Sequence, residues 1–77
     1  MKEAENITSK QVGLRIVQIR NALGITQGDL AKRIGLSRVS VTNIEIGRQG
    51  AMSLEMVERV AAALGTSPKN LLKGIWT

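Results

Sequence analysis

Four glycines, at positions 24, 35, 47 and 65, each stand just past a run of apolar residues that recur every three or four positions. The runs are Val12, Ile16, Ile19 and Leu23; Leu30, Ala31 and Ile34; Val41 and Ile44; and Leu54, Val57, Val60, Ala61 and Leu64. That spacing lines one face of a helix with 3.6 residues per turn, and glycine immediately after the last periodic residue is a helix stop. Starts are marked as clearly. Thr26, Ser37 and Ser53 precede the later runs as N-caps, and Ser67-Pro68 offers an N-cap followed by proline at the first helical position of a short helix through Leu71 and Leu72. No stretch alternates with period two over the length of a strand. The expectation is an all-α domain of five short helices over 11–77. Residues 1–10 are polar and aperiodic, and are expected to be a flexible N-terminal tail or a fraying first turn.

Chemistry is narrowed by what 77 residues without Cys or His can do. A core this small buries only about 60% of the unfolded chain's surface, which leaves little room for a catalytic cleft. Zinc fingers, disulfide frameworks, thiol nucleophiles and histidine acid-base catalysis are removed together. Neither carboxylates paired at a functional spacing nor a glycine-rich phosphate loop is present, so no enzyme, metal or cofactor is expected. The one aromatic residue is Trp76. Without aromatic platforms for stacked bases, duplex DNA is favoured over single strands as a partner.

A partner of negative charge is expected from the balance of ionisable groups. Eleven Lys and Arg stand against six Asp and Glu, a net charge of +5; Lys2, Glu3 and Glu5 make the first nine residues net −1, so residues 10–77 are net +6. Such a domain attracts phosphate, anionic lipid or acidic protein. No apolar run approaches the ~20 residues of a membrane span, and the start Met1-Lys2-Glu3-Ala4-Glu5 lacks the form of a secretory signal, so a cytoplasmic protein without membrane contact is expected.

The segment Thr26 to Glu45 holds two short helices joined by a three-residue turn, a helix-turn-helix. Ala31 is small where the helices must approach closely, Gly35 supplies the positive φ of the turn, and Leu36 is an inward anchor. Val41 and Ile44 commit one side of the helix from Ser37 to Ile46 inward. The opposite side carries Arg38, Val39, Thr42, Asn43 and Ile46, where an ordinary surface helix would carry Glu, Lys and Gln. These groups suit base edges: Arg pairs bidentately with guanine O6 and N7, Asn with adenine N6 and N7, and the methyls of Val or Thr meet the thymine methyl.

The stretch from Arg20 to Gly47 resembles the Cro and cI phage repressor family, also called the xenobiotic response element family of regulators. Its Leu-Thr-Gln-x-x-Leu-Ala opening is matched by Ile25-Thr26-Gln27-Gly28-Asp29-Leu30-Ala31. The likeness extends over roughly residues 12–73, because Gly65-Thr66-Ser67-Pro68-Lys69-Asn70-Leu71-Leu72 fits the family's ending. It implies a five-helix, lambda-repressor-like DNA-binding domain and a sequence-specific transcriptional regulator of the kind found among phage repressors and restriction-modification controllers. By resemblance, Arg38, Val39, Thr42 and Asn43 fall where the family reads bases, and Thr26, Gln27, Ser40, Arg48 and Gln49 where it meets phosphates. Gln27 would also orient a neighbouring base-reading side chain. The family further pairs an Arg late in helix one with a Glu near the end of helix three, here Arg20 and Glu45. Two residues depart from the pattern: Gly28, early in helix two, and Ile46, at a place that is commonly polar.

Blander readings stand beside these. Arg20 and Glu45 would form a structural pair worth about 0–1 kcal/mol if it lies at the surface. Lys32 and Arg33 read as a solvated face. One recognition helix covers few base pairs, so a homodimer on a pseudo-palindromic operator is expected, with Ile75 and Trp76 as candidate interface residues. A second reading is an antitoxin or interaction module that binds a partner protein and regulates its own promoter.

Overall fold

The computed structural model describes residues 2–48 and 53–72, with the backbone alone for 2–8. Five helices follow one another: α1 (Lys2–Leu23), α2 (Gln27–Ile34), α3 (Arg38–Glu45), α4 (Leu54–Ala63) and α5 (Pro68–Leu71). No strand occurs among the described residues, and no described helix is long and apolar enough to cross a membrane.

Helix ends obey the local signals. Thr26, Ser37, Ser53 and Ser67 each accept, through the side-chain oxygen, the backbone N–H three residues on, at 3.0–3.1 Å. At the other ends, the residue after each marker glycine donates its N–H five residues back: Ile25 to Arg20 O, Leu36 to Ala31 O, Arg48 to Asn43 O and Thr66 to Ala61 O, at 2.9–3.0 Å. That bond closes only when the glycine is left-handed, as at Gly35 with φ 72°. Cap and stop therefore satisfy backbone groups that a helix leaves orphaned.

The core is aliphatic. Val12 and Ile16 of α1 meet Leu30, Ala31 and Ile34 of α2, Val41 and Ile44 of α3, Val57, Val60 and Ala61 of α4, then Leu64 and Leu71, all buried. Helix α1 packs on α3 and α5, α2 on α3 and α4, and α4 on α5. Between α2 and α4, arginines close the exposed ends: Arg33 donates to Ala63 O at 3.0 Å and Arg59 to Ile34 O at 3.5 Å, cations placed at helix C-termini. Arg33, expected as part of a solvated face, is exposed yet anchored.

Three expectations change. Helix α1 starts at Lys2, so residues 2–10 are helical, a longer first helix than the tail or fraying turn expected there; no proline or glycine interrupts them, and Lys10 packs beneath the end of α3. Leu23 is 53% exposed, because α1 runs past the edge of the core, and its inward residues are Val12, Ile16 and, in part, Ile19. Leu54 is 72% exposed; it is the first residue of α4, and the inward stripe begins only at Met56 and Val57. Ile75 and Trp76, the candidate dimer residues, lie outside the described residues, as does Gln49.

One close approach fixes how α1 meets α3. A Cβ at Gly13 would come within 2.6 Å of Ile44 O and 2.8 Å of the Glu45 carbonyl carbon. One turn earlier, a Cβ at Gly47 would lie 2.7 Å from Lys10 Cα. Two glycines facing each other's helix let the backbones touch, and this seats the last turn of α3 on α1.

Candidate nucleic-acid interface

Seating α3 in this way brings Glu45 against the late part of α1. Arg20 Nε donates to Glu45 Oε2 at 2.7 Å and Arg20 Nη2 to Glu45 Oε1 at 3.2 Å, a two-pronged pair whose side chains are 12% and 4% exposed. The remaining Arg20 prong donates to Ile25 O at 2.9 Å and so ties the α1–α2 turn to the same pair. The family resemblance pairs these two residues, and a worth of about 0–1 kcal/mol holds only for a pair at the surface. This pair is enclosed, which changes its energetics: breaking one side strands a charge away from water.

Glu45 has a further partner. Gln27, at the first position of α2, donates Nε2–H to Glu45 Oε1 at 2.8 Å, and its Oε1 then faces α3, where Arg38 Nε donates from 3.5 Å and Thr42 Oγ1 lies 3.4 Å away. Thr42 Oγ1 also lies 3.1 Å from Arg38 O. The chain Arg20, Glu45, Gln27, Arg38 runs from the interior to the exposed face of the helix-turn-helix. No sequence spacing announces the Gln27–Glu45 bond, since the two residues are 18 positions apart on different helices.

The other expected residues flank this chain. Arg38, Val39 and Arg48 are exposed, and Thr42, Asn43 and Ser40 are half-buried. Val39 is 69% and Ile46 51% exposed; with Asn43 they stand at i, i+4 and i+7, adjoining the Arg38–Thr42 row. Ile46 is the C-cap residue of α3. Ser40 Oγ lies 3.1 Å from Ser37 Oγ. An open concavity of about 640 Å³ lies where α1 ends and α2 begins, bordered by Asn21, Gly24, Thr26, Gln27, Gly28 and Arg38. A Cβ at Gly28 would meet only Thr26 Oγ1, at 3.8 Å, so nothing inside the domain requires glycine there.

Asp29 was not singled out by the sequence reading. It accepts the Thr26 backbone N–H at 3.2 Å while Thr26 Oγ1 accepts the Asp29 N–H at 3.0 Å, a capping box whose signal is the spacing Thr26-x-x-Asp29. The Thr26 N–H, then the Thr26 side chain, and more weakly Arg33 and Lys32, hold its carboxyl below the ordinary value of 3.8. The folded value is depressed, so this contribution to stability is complete above the ordinary value and is lost as pH falls through the folded one. A carboxyl-carbon NMR titration should place the Asp29 midpoint below 3.8, whereas a midpoint at or above that value would contradict the capping box.

The helix-turn-helix family model matches residues 16–71, the span that contains α2, α3 and the buried pair. The chain belongs to the Cro/cI-type helix-turn-helix family. Its solved likenesses share the fold: the restriction-modification controller protein C.AhdI from Aeromonas hydrophila is 32% identical with a TM-score of 0.77, covering 84% of this chain and 97% of that one. The clp gene regulator ClgR from C. glutamicum is 28% identical with a TM-score of 0.78, covering 83% and 82%. Among sequences, an uncharacterized HTH-type transcriptional regulator R559 of Acanthamoeba polyphaga mimivirus is 42% identical over 57 residues, 71% of this chain. An uncharacterized HTH-type regulator of Methanothermobacter thermautotrophicus is 44% identical over 46 residues, 60% of this chain. The matched parts make up 25% and 65% of those two relatives. DNA-binding transcriptional regulation is the activity of the family, and α2 and α3 are the helix-turn-helix itself.

Proposed function

We propose that this helix-turn-helix domain acts as a homodimer that reads a pseudo-palindromic operator through the major groove with α3. Arg38, Val39, Thr42 and Asn43 contact bases; Thr26, Gln27, Ser40, Arg48 and Gln49 meet the phosphates. The observation that carries this reading is the exposed half of α3, which offers a guanidinium, an amide, a hydroxyl and a bare valine, 69% exposed, in place of solubilising Glu or Lys. Valine there does nothing for packing and lowers helix propensity slightly, while its methyls match the thymine C5-methyl. Thr26 Oγ1 caps α2 as an acceptor beside the positive end of the helix, where the remaining free N–H groups suit a phosphate oxygen. The open surface at Gly28 lets the DNA strand approach that end closely. A single α3 covers few base pairs, and two-fold pairing sets a second one about 34 Å away on the same face of the duplex.

Selection from a randomised duplex pool tests this reading. An inverted repeat with half-sites about one helical turn apart is expected; a solitary half-site would contradict the dimer, and an unenriched pool would contradict sequence-specific reading. Two substitutions should then part company. Arg38→Ala should relax one column of the half-site, whereas Arg48→Ala should weaken all sequences alike and lower the salt slope by about 0.9 in a titration against ionic strength.

A further inference from the structure

We infer that Glu45, which is enclosed behind the reading face and reaches no DNA, is a positioning residue for base recognition: its carboxylate fixes the amide of Gln27 with the carbonyl toward Arg38 and Thr42. This rests on the base-reading role of α3 proposed above. A carboxylate has no proton to give and can only accept, so the group of Gln27 that faces Glu45 Oε1 at 2.8 Å must be the NH2. With the nitrogen committed inward, Oε1 is left facing α3, where Arg38 Nε points its donor at it from 3.5 Å and Thr42 Oγ1, whose proton has the nearer acceptor Arg38 O at 3.1 Å, lies 3.4 Å away. Turned the other way, the amide would set N–H against guanidinium, donor against donor, and Arg38 would swing away from the plane in which it meets a base edge.

Two features give the carboxylate this authority. Its other oxygen is held by Arg20 Nε at 2.7 Å, and its side chain is 4% exposed, so it neither rotates freely nor trades Gln27 for water. The separations on the α3 side are long for hydrogen bonds, so the amide carbonyl orients Arg38 through its dipole more than through a short bond. The same carboxylate thus serves stability through Arg20 and recognition through Gln27.

The test repeats the duplex selection with Glu45→Gln, Gln27→Leu and Arg38→Ala, with circular dichroism to verify the fold of each. A glutamine at position 45 accepts or donates equally well, so the polarity of Gln27 is no longer imposed. The column relaxed by Arg38→Ala should also relax in Glu45→Gln and in Gln27→Leu, at least about fivefold, the low end of what a bidentate base contact supplies. A merely structural role for Glu45 would weaken every column alike, and that result would overturn the inference, as would an intact Arg38 column in Glu45→Gln whatever Gln27→Leu does. Should Glu45→Gln not fold, the double substitution Arg20→Met with Glu45→Leu decides in its place, because it removes the carboxylate together with its buried counter-charge, and an intact Arg38 column in it would overturn the inference. A half-site unaltered by Arg38→Ala would overturn the base-reading role itself and the inference with it; a column lost in Arg38→Ala but kept in the other two would overturn the inference alone.

Discussion

Replacing Arg20 by alanine should destabilise the domain by about 3–5 kcal/mol, the usual result of stranding one member of a buried ion pair. The Glu45 carboxylate, 4% exposed, would keep Gln27 as its one donor and lose both prongs of the guanidinium. Ile25 O would lose its side-chain donor as well, loosening the turn that leads into α2. Small domains hold about 5–15 kcal/mol in total, so the loss is a large share of it, and for a chain of this size it lowers the melting temperature by roughly 12–40 °C. Thermal unfolding followed by circular dichroism measures it. A change below about 1 kcal/mol would mean that the pair behaves as an exposed one. The double substitution Arg20→Met with Glu45→Leu should recover much of the deficit, since it removes the stranded charge together with its partner.

Gly13→Ala should destabilise by about 1–3 kcal/mol, opposite in sign to the effect of the same change in an open stretch of helix. Alanine is the better helix former by about 0.5–1 kcal/mol. Here its Cβ would sit 2.6 Å from Ile44 O and 2.8 Å from the Glu45 carbonyl carbon, and these are backbone atoms that cannot rotate away. Relief requires α1 and α3 to separate, which opens the core at Val12, Ile16 and Ile44 and shifts Glu45 from Arg20. Gly28→Ala is the companion measurement. A Cβ there meets only Thr26 Oγ1 at 3.8 Å, so a gain of about 0.5–1 kcal/mol is expected. Urea midpoints of the two variants moving in opposite directions would separate close packing from helix propensity; movement in the same direction would contradict the seam between α1 and α3.

These two residues mark where the sequence is legible and where it is not. Caps at Thr26, Ser37, Ser53 and Ser67, and stops at the four glycines, are local chemistry: donor and acceptor lie within five residues of each other, and the sequence displays both. Leu23 and Leu54 continue the periodic stripes and yet face solvent, because periodicity gives the face of a helix but not how far its neighbour extends alongside it. Helix α1 reaches back to Lys2 for a related reason: a helix anchored by tertiary contacts at Lys10 and Val12 propagates through polar residues that contain no breaker. The clearance at Gly13 depends on residues more than thirty positions away. Family resemblance alone proposes Gln27 and Arg38 as contact residues, and the bond from Gln27 to Glu45, which joins the interior to the exposed face of α3, exists only once α2 and α3 have crossed.

Base recognition by α3, as proposed, requires Arg38 to meet a base edge in the major groove. Its most direct test is a paired titration of the wild type and Arg38→Ala against the selected operator and copies in which each guanine in turn is 7-deazaguanine, lacking the N7 acceptor that a bidentate arginine uses. The wild type should lose affinity severalfold at one guanine in each half-site, and Arg38→Ala should be indifferent to that replacement. If no guanine matters to the wild type, or if both proteins lose equally at the same one, Arg38 is not the reader and the recognition face of α3 is wrongly assigned.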